Sequence, residues 1–273
     1  MKKVNLLDYI AVIRPTLLFP VWTLLLLGYY RGLLNLPQNY QTDLKLFDFP
    51  IILIPQIEIV KMLLLFSMIM SAVYIINQMS DIPTDAVNDK LYLVAQGYVS
   101  VKLLIIEIIF LTVGSVILSI YWFGKFGNYF LLIGLSLILG WIYSVPPLRL
   151  KGRPILDLLA NSVGYGIIAF TIGWISVNVF SRYTLYSSLP YMLCVGATFI
   201  NTTLPDIEGD RANNDITTGV FLGIRLSSIL SVILLIFAIL SSIFLKDFIA
   251  LTATTLSLPF FIYAAIKPKN NII

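Results

Sequence analysis

The sequence contains no histidine and only one cysteine, Cys194. The absence of histidine excludes imidazole as a general base, a zinc ligand or a haem ligand. A lone cysteine forms no internal disulfide, so cysteine usage does not indicate a redox compartment. Any metal chemistry therefore depends on oxygen ligands, which favour Mg²⁺ or Mn²⁺.

Charged residues are also scarce. Only 12% of the 273 residues are charged and 59% are hydrophobic, whereas soluble domains carry about 25% charged residues. Because a membrane span needs about 20 apolar residues, the sequence predicts an all-α membrane protein, a single domain over residues 1–273. Eight transmembrane helices are predicted, at residues 10–30, 55–77, 100–123, 128–146, 155–179, 186–204, 225–245 and 247–267. No small-residue cleavage site follows the first apolar run, so we expect a retained helix rather than a signal peptide.

Three polar segments share one face of the predicted bundle. Residues 77–99, 147–154 and 205–224 follow the second, fourth and sixth helices, and alternate helices end on the same side of a membrane. That face carries twelve of the 18 Lys and Arg residues. The positive-inside rule therefore predicts a cell-membrane protein with these segments and both termini in the cytoplasm. Membrane orientation also accounts for the net charge of +4, so no nucleic-acid partner is expected.

Two of the polar segments repeat carboxylates at a spacing of four. Asn77, Asp81 and Asp85 form one cluster, and Asp206 and Asp210 form the other. On a helix this spacing places side chains on one face, about 6 Å of rise apart. Two carboxylates at that separation repel by roughly 3 kcal/mol at an effective dielectric of 20, and a divalent cation reverses the sign of that energy. One cluster alone is also typical of a solvated turn, but the repetition favours two Mg²⁺ ions that hold a polyphosphate.

The two acidic clusters also suggest an internal duplication. Asp81 and Asp206 each stand at the cytoplasmic end of a predicted helix, four helices apart. A duplicated four-helix unit would bring both acidic ends to a central cavity.

Basic residues lie close to these clusters in the predicted topology. Arg149 and Lys151 follow the Pro146-Pro147 pair, where they are candidates to bind the phosphate oxygens that the metals leave unpaired. Arg14 is a further candidate for binding these phosphate oxygens. Snorkelling of basic side chains at the membrane interface is the alternative interpretation, and for Arg14 the favoured one.

The fifth predicted helix carries a polar stripe. Asp157, Asn161 and Tyr165 recur at a spacing of four. The stripe either lines a substrate cavity together with Tyr143 or forms hydrogen bonds between helices. The sequence leaves both roles open. Glu107, in the third helix, has no assigned role.

These motifs resemble the UbiA superfamily of intramembrane prenyltransferases in order and spacing. The resemblance rests on Asn-x-x-x-Asp-x-x-x-Asp at 77–85, Tyr-Ser-x-Pro-Pro-x-Arg-Leu-Lys at 143–151 and Asp-x-x-x-Asp at 206–210. Residues 76–81 and 204–210 are most similar to the homogentisate prenyltransferases. Residues 206–211 are also similar to chlorophyll synthases and archaeal ether-lipid prenyltransferases.

The resemblance implies an activity and a mechanism. A Mg²⁺-dependent enzyme would transfer a prenyl group from an isoprenyl diphosphate (geranylgeranyl or similar) to a hydrophobic or aromatic acceptor, through an allylic carbocation. The pathway would be quinone or lipid biosynthesis. Asp85 or Asp210 would take the acceptor's proton, and Lys90 would contact the diphosphate. The family commonly has nine helices, whereas eight are predicted here.

Two other functions are weighed against this one. Residues 88–97 depart from the family pattern by lacking its prolines, which is compatible with a catalytically inactive isoprenoid-binding relative. All four motif aspartates at 81, 85, 206 and 210 are present, which argues against inactivity. A cation-coupled transporter would place carboxylates near the bilayer midplane, whereas these stand at helix ends.

Overall fold

In the computed structural model the chain is described over residues 6–36, 45–46, 49–50, 57–82, 92–124 and 127–267. The α-helices of these ranges, in chain order, are α1 Leu6–Val12, α2 Leu18–Leu34, α3 Ile57–Ser80, α4 Tyr92–Ala95, α5 Val101–Phe123, α6 Asn128–Ser144, α7 Leu156–Asn161, α8 Phe170–Ile175, α9 Arg182–Thr203, α10 Ile207–Ala212, α11 Thr218–Phe244 and α12 Phe248–Ile266. Two short antiparallel strands, β1 Lys45–Leu46 and β2 Phe49–Pro50, were not expected. The other regular elements of the described ranges are helical, and they include short 3-10 turns and one π-helical stretch.

Each of the eight predicted helices has a counterpart, and the differences have local causes. The first is interrupted after α1, where Pro15 begins the 3-10 turn Pro15–Leu17. Proline has no N–H and constrains the residue before it, so the helix restarts at α2. The seventh helix begins earlier than predicted, at Thr218, with a kink at Gly223, whose φ of 73° only glycine adopts easily. The fifth predicted helix corresponds to α7 and α8, which are joined by the π-helical stretch Ser162–Ala169.

The helices differ in their capacity to cross a membrane. Six are long and apolar enough, and they lie at Leu7–Leu34, Ile57–Ser80, Val101–Phe123, Leu156–Ile175, Thr218–Phe244 and Phe248–Ile266. The predicted span at 128–146 forms α6, which is apolar but has only 17 residues. The predicted span at 186–204 forms α9, which is longer but carries many hydroxyl side chains and Asn201.

The helices are grouped in two compact units. Unit 1 comprises Met1–Trp141 and Ile168–Thr184, and unit 2 comprises Ile142–Ile167 and Leu185–Ile273. In unit 1, α2 packs closely on α8 because glycines remove side chains from the contact. A Cβ on Gly173 would lie 1.8 Å from the Leu25 carbonyl oxygen, and one on Gly28 would lie 1.9 Å from the Phe170 oxygen. Small residues allow such close approach of two helix backbones. This packing is important in a membrane, because the hydrophobic effect does not drive helices together in lipid.

The acidic end of α3 is anchored in unit 1. The buried Gln78 side chain donates hydrogen bonds to the carbonyls of Val12 (2.7 Å) and Tyr74 (3.1 Å). The amide N–H of Ser100 donates to the Tyr9 hydroxyl at 3.1 Å. An apolar cluster surrounds these bonds, with Val12, Ala72, Ile75, Val94, Val99, Leu104 and Leu111 at its centre. The residues before Arg14 and the end of α3 are therefore held together.

Unit 2 contains the paired helices α11 and α12. The carboxylate of Asp247 accepts from the Ala250 amide (3.1 Å), which caps the start of α12, and from the Tyr191 hydroxyl of α9 (2.8 Å). The π-helical stretch approaches α9 closely, since a Cβ on Gly166 would lie 2.3 Å from the Met192 Cα.

We predict that Gly173→Ala destabilises unit 1, because the added methyl group forces the backbones of α2 and α8 apart. Overpacking of this kind typically costs about 1–3 kcal/mol. The matched control is Gly134→Ala in α6, where a Cβ would meet no atom within 4 Å. Thermal unfolding in detergent measures both. Equal melting temperatures for Gly173→Ala and wild type would contradict the close packing.

Candidate functional site

The first acidic cluster extends from the end of α3. The Asp81 amide donates to the Asn77 carbonyl at 3.1 Å, so helical hydrogen bonding continues one residue past Ser80. Asn77 and Asp81 are therefore one helical turn apart, and both are half-buried. Two predicted site residues, Asp85 and Lys90, lie outside the described residues.

Arg14, in the same unit, has an unusual backbone. Its φ of 57° and ψ of 59° are left-handed, and its carbonyl accepts from Leu17 at 2.9 Å. A non-glycine residue in this conformation is uncommon and persists only where the surrounding structure fixes it. The Gln78 bond to Val12 places the Arg14 segment beside the end of α3.

The basic segment of unit 2 begins with a similar backbone at Arg149. Its φ of 38° and ψ of 62° precede the 3-10 turn Leu150–Gly152, which contains the half-buried Lys151. The Arg149 guanidinium forms an ion pair with Asp215 at 2.8 Å. The Arg153 guanidinium donates to the Pro147 carbonyl at 2.9 Å. Arg149 is thus held by a carboxylate, whereas Arg153 stabilises the turn itself.

The second acidic cluster spans a 3-10 turn and a short helix rather than one continuous helix. Leu204–Asp206 forms the turn, with Pro205 in it, and Asp206 is the residue before α10. Asp210 accepts a hydrogen bond from the Thr217 hydroxyl at 3.0 Å, and its carbonyl accepts from the Asp215 amide at 3.0 Å. Asp206 and Asp210 are both half-buried. Asp210 is consequently connected to Arg149 through Asp215.

A buried carboxylate joins the basic segment to the second acidic cluster. Asp157, only 1% exposed, accepts from the amides of Thr218 (2.7 Å) and Leu158 (2.8 Å) and also from the Thr218 hydroxyl. The Thr218 hydroxyl in turn accepts from the Ile155 amide at 2.7 Å. Every one of these donors lies at the start of α7 or of α11, so Asp157 fixes the two helix ends against each other.

Two further contacts continue this junction. The Ile216 amide donates to the Gly152 carbonyl at 3.2 Å. A Cβ on Gly152 would lie 2.6 Å from a carboxylate oxygen of Asp215, so only glycine fits there without displacing that side chain. The polar segments at 147–154 and 205–224 therefore meet at one end of unit 2, as the predicted topology requires.

The remaining predicted site residues of unit 2 are near this junction in sequence. Asn161 donates to the Asp157 carbonyl at 3.0 Å, and Tyr143 is half-buried near the end of α6. Sequence reasoning did not single out Asp215, Thr217 or Thr218. The Thr217 hydroxyl accepts from the Val220 amide at 3.3 Å, an N-cap that a threonine just before an apolar run signals.

The donor set fits Mg²⁺ by its chemistry. Asn77, Asp81, Asp206 and Asp210 supply amide and carboxylate oxygens, the ligands that Mg²⁺ prefers. Over the ranges that the structure describes, no three His, Cys, Asp or Glu side chains form a metal-binding cluster. Asp85 is outside those ranges, so the metal site stays a prediction.

Comparison with known proteins agrees with the resemblance. A sequence model of the UbiA prenyltransferase family matches residues 53–270. Among curated proteins, the probable homogentisate phytyltransferase 2 of rice (Oryza sativa subsp. japonica) is 31% identical over 157 residues, 55% of this chain and 41% of the relative. The homogentisate solanesyltransferase of Arabidopsis thaliana is 32% identical over 164 residues, 55% of this chain and 40% of the relative. These matches therefore span well under half of each relative's length.

Solved structures show the same fold. The UbiA homolog of Archaeoglobus fulgidus bound to GPP and Mg²⁺ superposes with a TM-score of 0.68 at 19% identity, covering 95% of this chain and 86% of that one. The protein is thus a multi-pass, all-α membrane protein. Because the family match extends over most of its length, the chain belongs to the UbiA prenyltransferase family.

Proposed function

We propose that this protein is an intramembrane prenyltransferase that moves a prenyl group from an isoprenyl diphosphate to an aromatic acceptor. The observation that carries the proposal is the junction of Arg149, Asp215 and Asp210, which places a fixed guanidinium next to the second acidic motif of a UbiA-family chain. An isoprenyl diphosphate combines a polyanionic head with an apolar chain, and a membrane protein that holds cations and carboxylates at helix ends complements both.

Arg149 is suited to bind the diphosphate. A guanidinium presents five N–H donors in a planar fork, and phosphate oxygens accept them bidentately. Its 2.8 Å pair with Asp215 and its left-handed backbone limit where the fork points. A pre-organised donor stabilises the charge that develops on a leaving diphosphate without reorganising during the reaction. Lys151, two residues later, would add a second cation, and Arg14 and Lys90 are the other cations proposed to contribute.

The carboxylates have a different proposed task. Asn77, Asp81 and Asp85, with Asp206 and Asp210, would hold two Mg²⁺ ions, one at each acidic cluster. When bound, the metal neutralises diphosphate charge and favours its departure. Asp85 or Asp210 would then accept the acceptor's proton. Tyr143 and Asn161 are proposed to line the cavity that shields the allylic cation from water.

The names of the curated relatives support an aromatic acceptor. Both are named for homogentisate, an aromatic acceptor, and each is at least 31% identical over the matched region. We therefore favour an aromatic ring over a lipid hydroxyl, and a quinone pathway over ether-lipid synthesis. The site would face the cytoplasmic side of the cell membrane, because the polar segments that carry it lie on the face with twelve of the 18 Lys and Arg residues.

We expect chelator-sensitive transfer of label from radiolabelled geranylgeranyl diphosphate to homogentisate by purified protein in lipid. Dihydroxynaphthoate, hydroxybenzoate and geranylgeranylglyceryl phosphate complete the acceptor panel. Transfer to the glyceryl phosphate alone would overturn the aromatic assignment. Metal-dependent retention of the diphosphate with no transfer would support the diphosphate site and overturn homogentisate as the acceptor, whereas neither transfer nor retention would favour the inactive relative.

Asp81→Asn and Asp206→Asn should each lower the transfer rate by about 10²–10³-fold, the usual effect of removing one electrostatic contact at a reacting charge. Glu58→Gln is the matched control, since Glu58 occupies the first turn of α3, at the other end from Asp81. Initial rates at saturating Mg²⁺ measure all three. Wild-type rates in both aspartate variants would remove these carboxylates from the site.

A double-mutant cycle tests whether Asp215 positions Arg149. Asp215→Asn should raise the KM for the diphosphate by about tenfold, the effect of losing one charge-assisted hydrogen bond, and should have little further effect in an Arg149→Gln background. Lys246→Gln, an exposed cation at the far end of α11, is the control. A lower KM in Asp215→Asn would show that Asp215 competes with the substrate for Arg149.

A further inference from the structure

A groove runs along the α11–α12 pair in unit 2. Its volume is about 590 Å³, and it is lined by Arg225, Ile229, Val232, Ile233, Ile262, Ala265 and Ile266. Apart from the arginine, every lining side chain is aliphatic. Both helices are long and apolar enough to cross a membrane, so the walls of the groove suit a hydrocarbon chain.

One end of the groove is basic. A short turn at residues 245–247 joins α11 to α12, so the start of α11 and the end of α12 lie at the same end of the pair. Arg225 stands near the start of α11, and Lys267 directly follows α12. Both are exposed, and the Lys267 ammonium lies 5.6 Å from the centre of the Tyr263 ring.

These cations have no carboxylate partner in the part of the chain that the structure describes. The ion pair found there joins Arg149 to Asp215, and neither Arg225 nor Lys267 contributes to it. A cation on a membrane-spanning helix is expensive unless it reaches the headgroup region or an anion. The groove therefore has one positively charged end and apolar walls along the rest of its length.

We propose that this groove binds an anionic phospholipid, with the phosphate on Arg225 and Lys267 and one acyl chain against the aliphatic walls. Charge complementarity selects this occupant. Basic side chains near the membrane surface favour anionic over zwitterionic headgroups, and an aliphatic groove accepts a chain of any lipid. The site is separate from the residues proposed for prenyl transfer, so it stands whether or not that activity is found.

The test compares phosphatidylglycerol with phosphatidylcholine of the same acyl chains, added to the delipidated full-length protein and counted by native mass spectrometry. Wild type should bind phosphatidylglycerol roughly tenfold more tightly, and Arg225→Gln/Lys267→Gln should lose that preference. The control variant Lys102→Gln removes an exposed cation from the start of α5, and it should keep the preference for phosphatidylglycerol. Equal binding of both lipids by wild type, or an unchanged preference in the double variant, would overturn the proposal.

Ala265→Trp tests the apolar half of the site independently. The indole fills the groove, so binding of both lipids should fall by a similar factor while the headgroup preference persists. Equal melting temperatures in phosphatidylcholine would show that the variants are folded. Unchanged binding to Ala265→Trp would place the lipid elsewhere, and displacement of bound phosphatidylglycerol by geranyl diphosphate would assign the groove to the isoprenoid substrate instead.

Discussion

The candidate site depends on one buried carboxylate. Asp157 gathers hydrogen bonds from two amides and a hydroxyl at the starts of α7 and α11, where helix N–H groups have no partner within their own helix. Its negative charge is also favourable there, because both helix N-termini carry partial positive charge. Only a few residues separate this junction from the Ile216–Gly152 hydrogen bond and from the Arg149–Asp215 ion pair. Once the junction forms, these short connections bring the partners of both contacts close together. The basic segment and the second acidic motif are thus parts of one local structure.

The sequence predicted much of the fold because charge is so scarce in it. Long apolar runs left few places for the ends of helices, and each predicted helix has a counterpart, although only six of the helices in the described residues are long and apolar enough to cross a membrane. The resemblance to the UbiA superfamily was confirmed by the family match. The break at Pro15 and the kink at Gly223 were not predicted, although both residue types signal them. The π-helical stretch Ser162–Ala169 has no comparable signal, because its side chains also suit an α-helix.

The site was less predictable than the fold. Asp210 and Arg149 stood out as charged residues at helix ends, but the residue that connects them did not. Asp215 lies 66 residues from Arg149 in the chain, and Thr218 lies 61 residues from Asp157. Pairings at such separations leave no local pattern, and an aspartate in a turn is ordinary. Only the folded chain distinguishes Asp215 from the aspartates of a solvated loop.

Stability alone does not explain the Arg149–Asp215 pair. Its side chains are 30% and 19% exposed, and partly exposed pairs contribute about 1 kcal/mol or less. The left-handed backbone of Arg149 adds strain. A pair that stabilises so little, on a backbone that costs free energy, is better explained by its effect on the orientation of the guanidinium, which the proposed binding of a diphosphate requires.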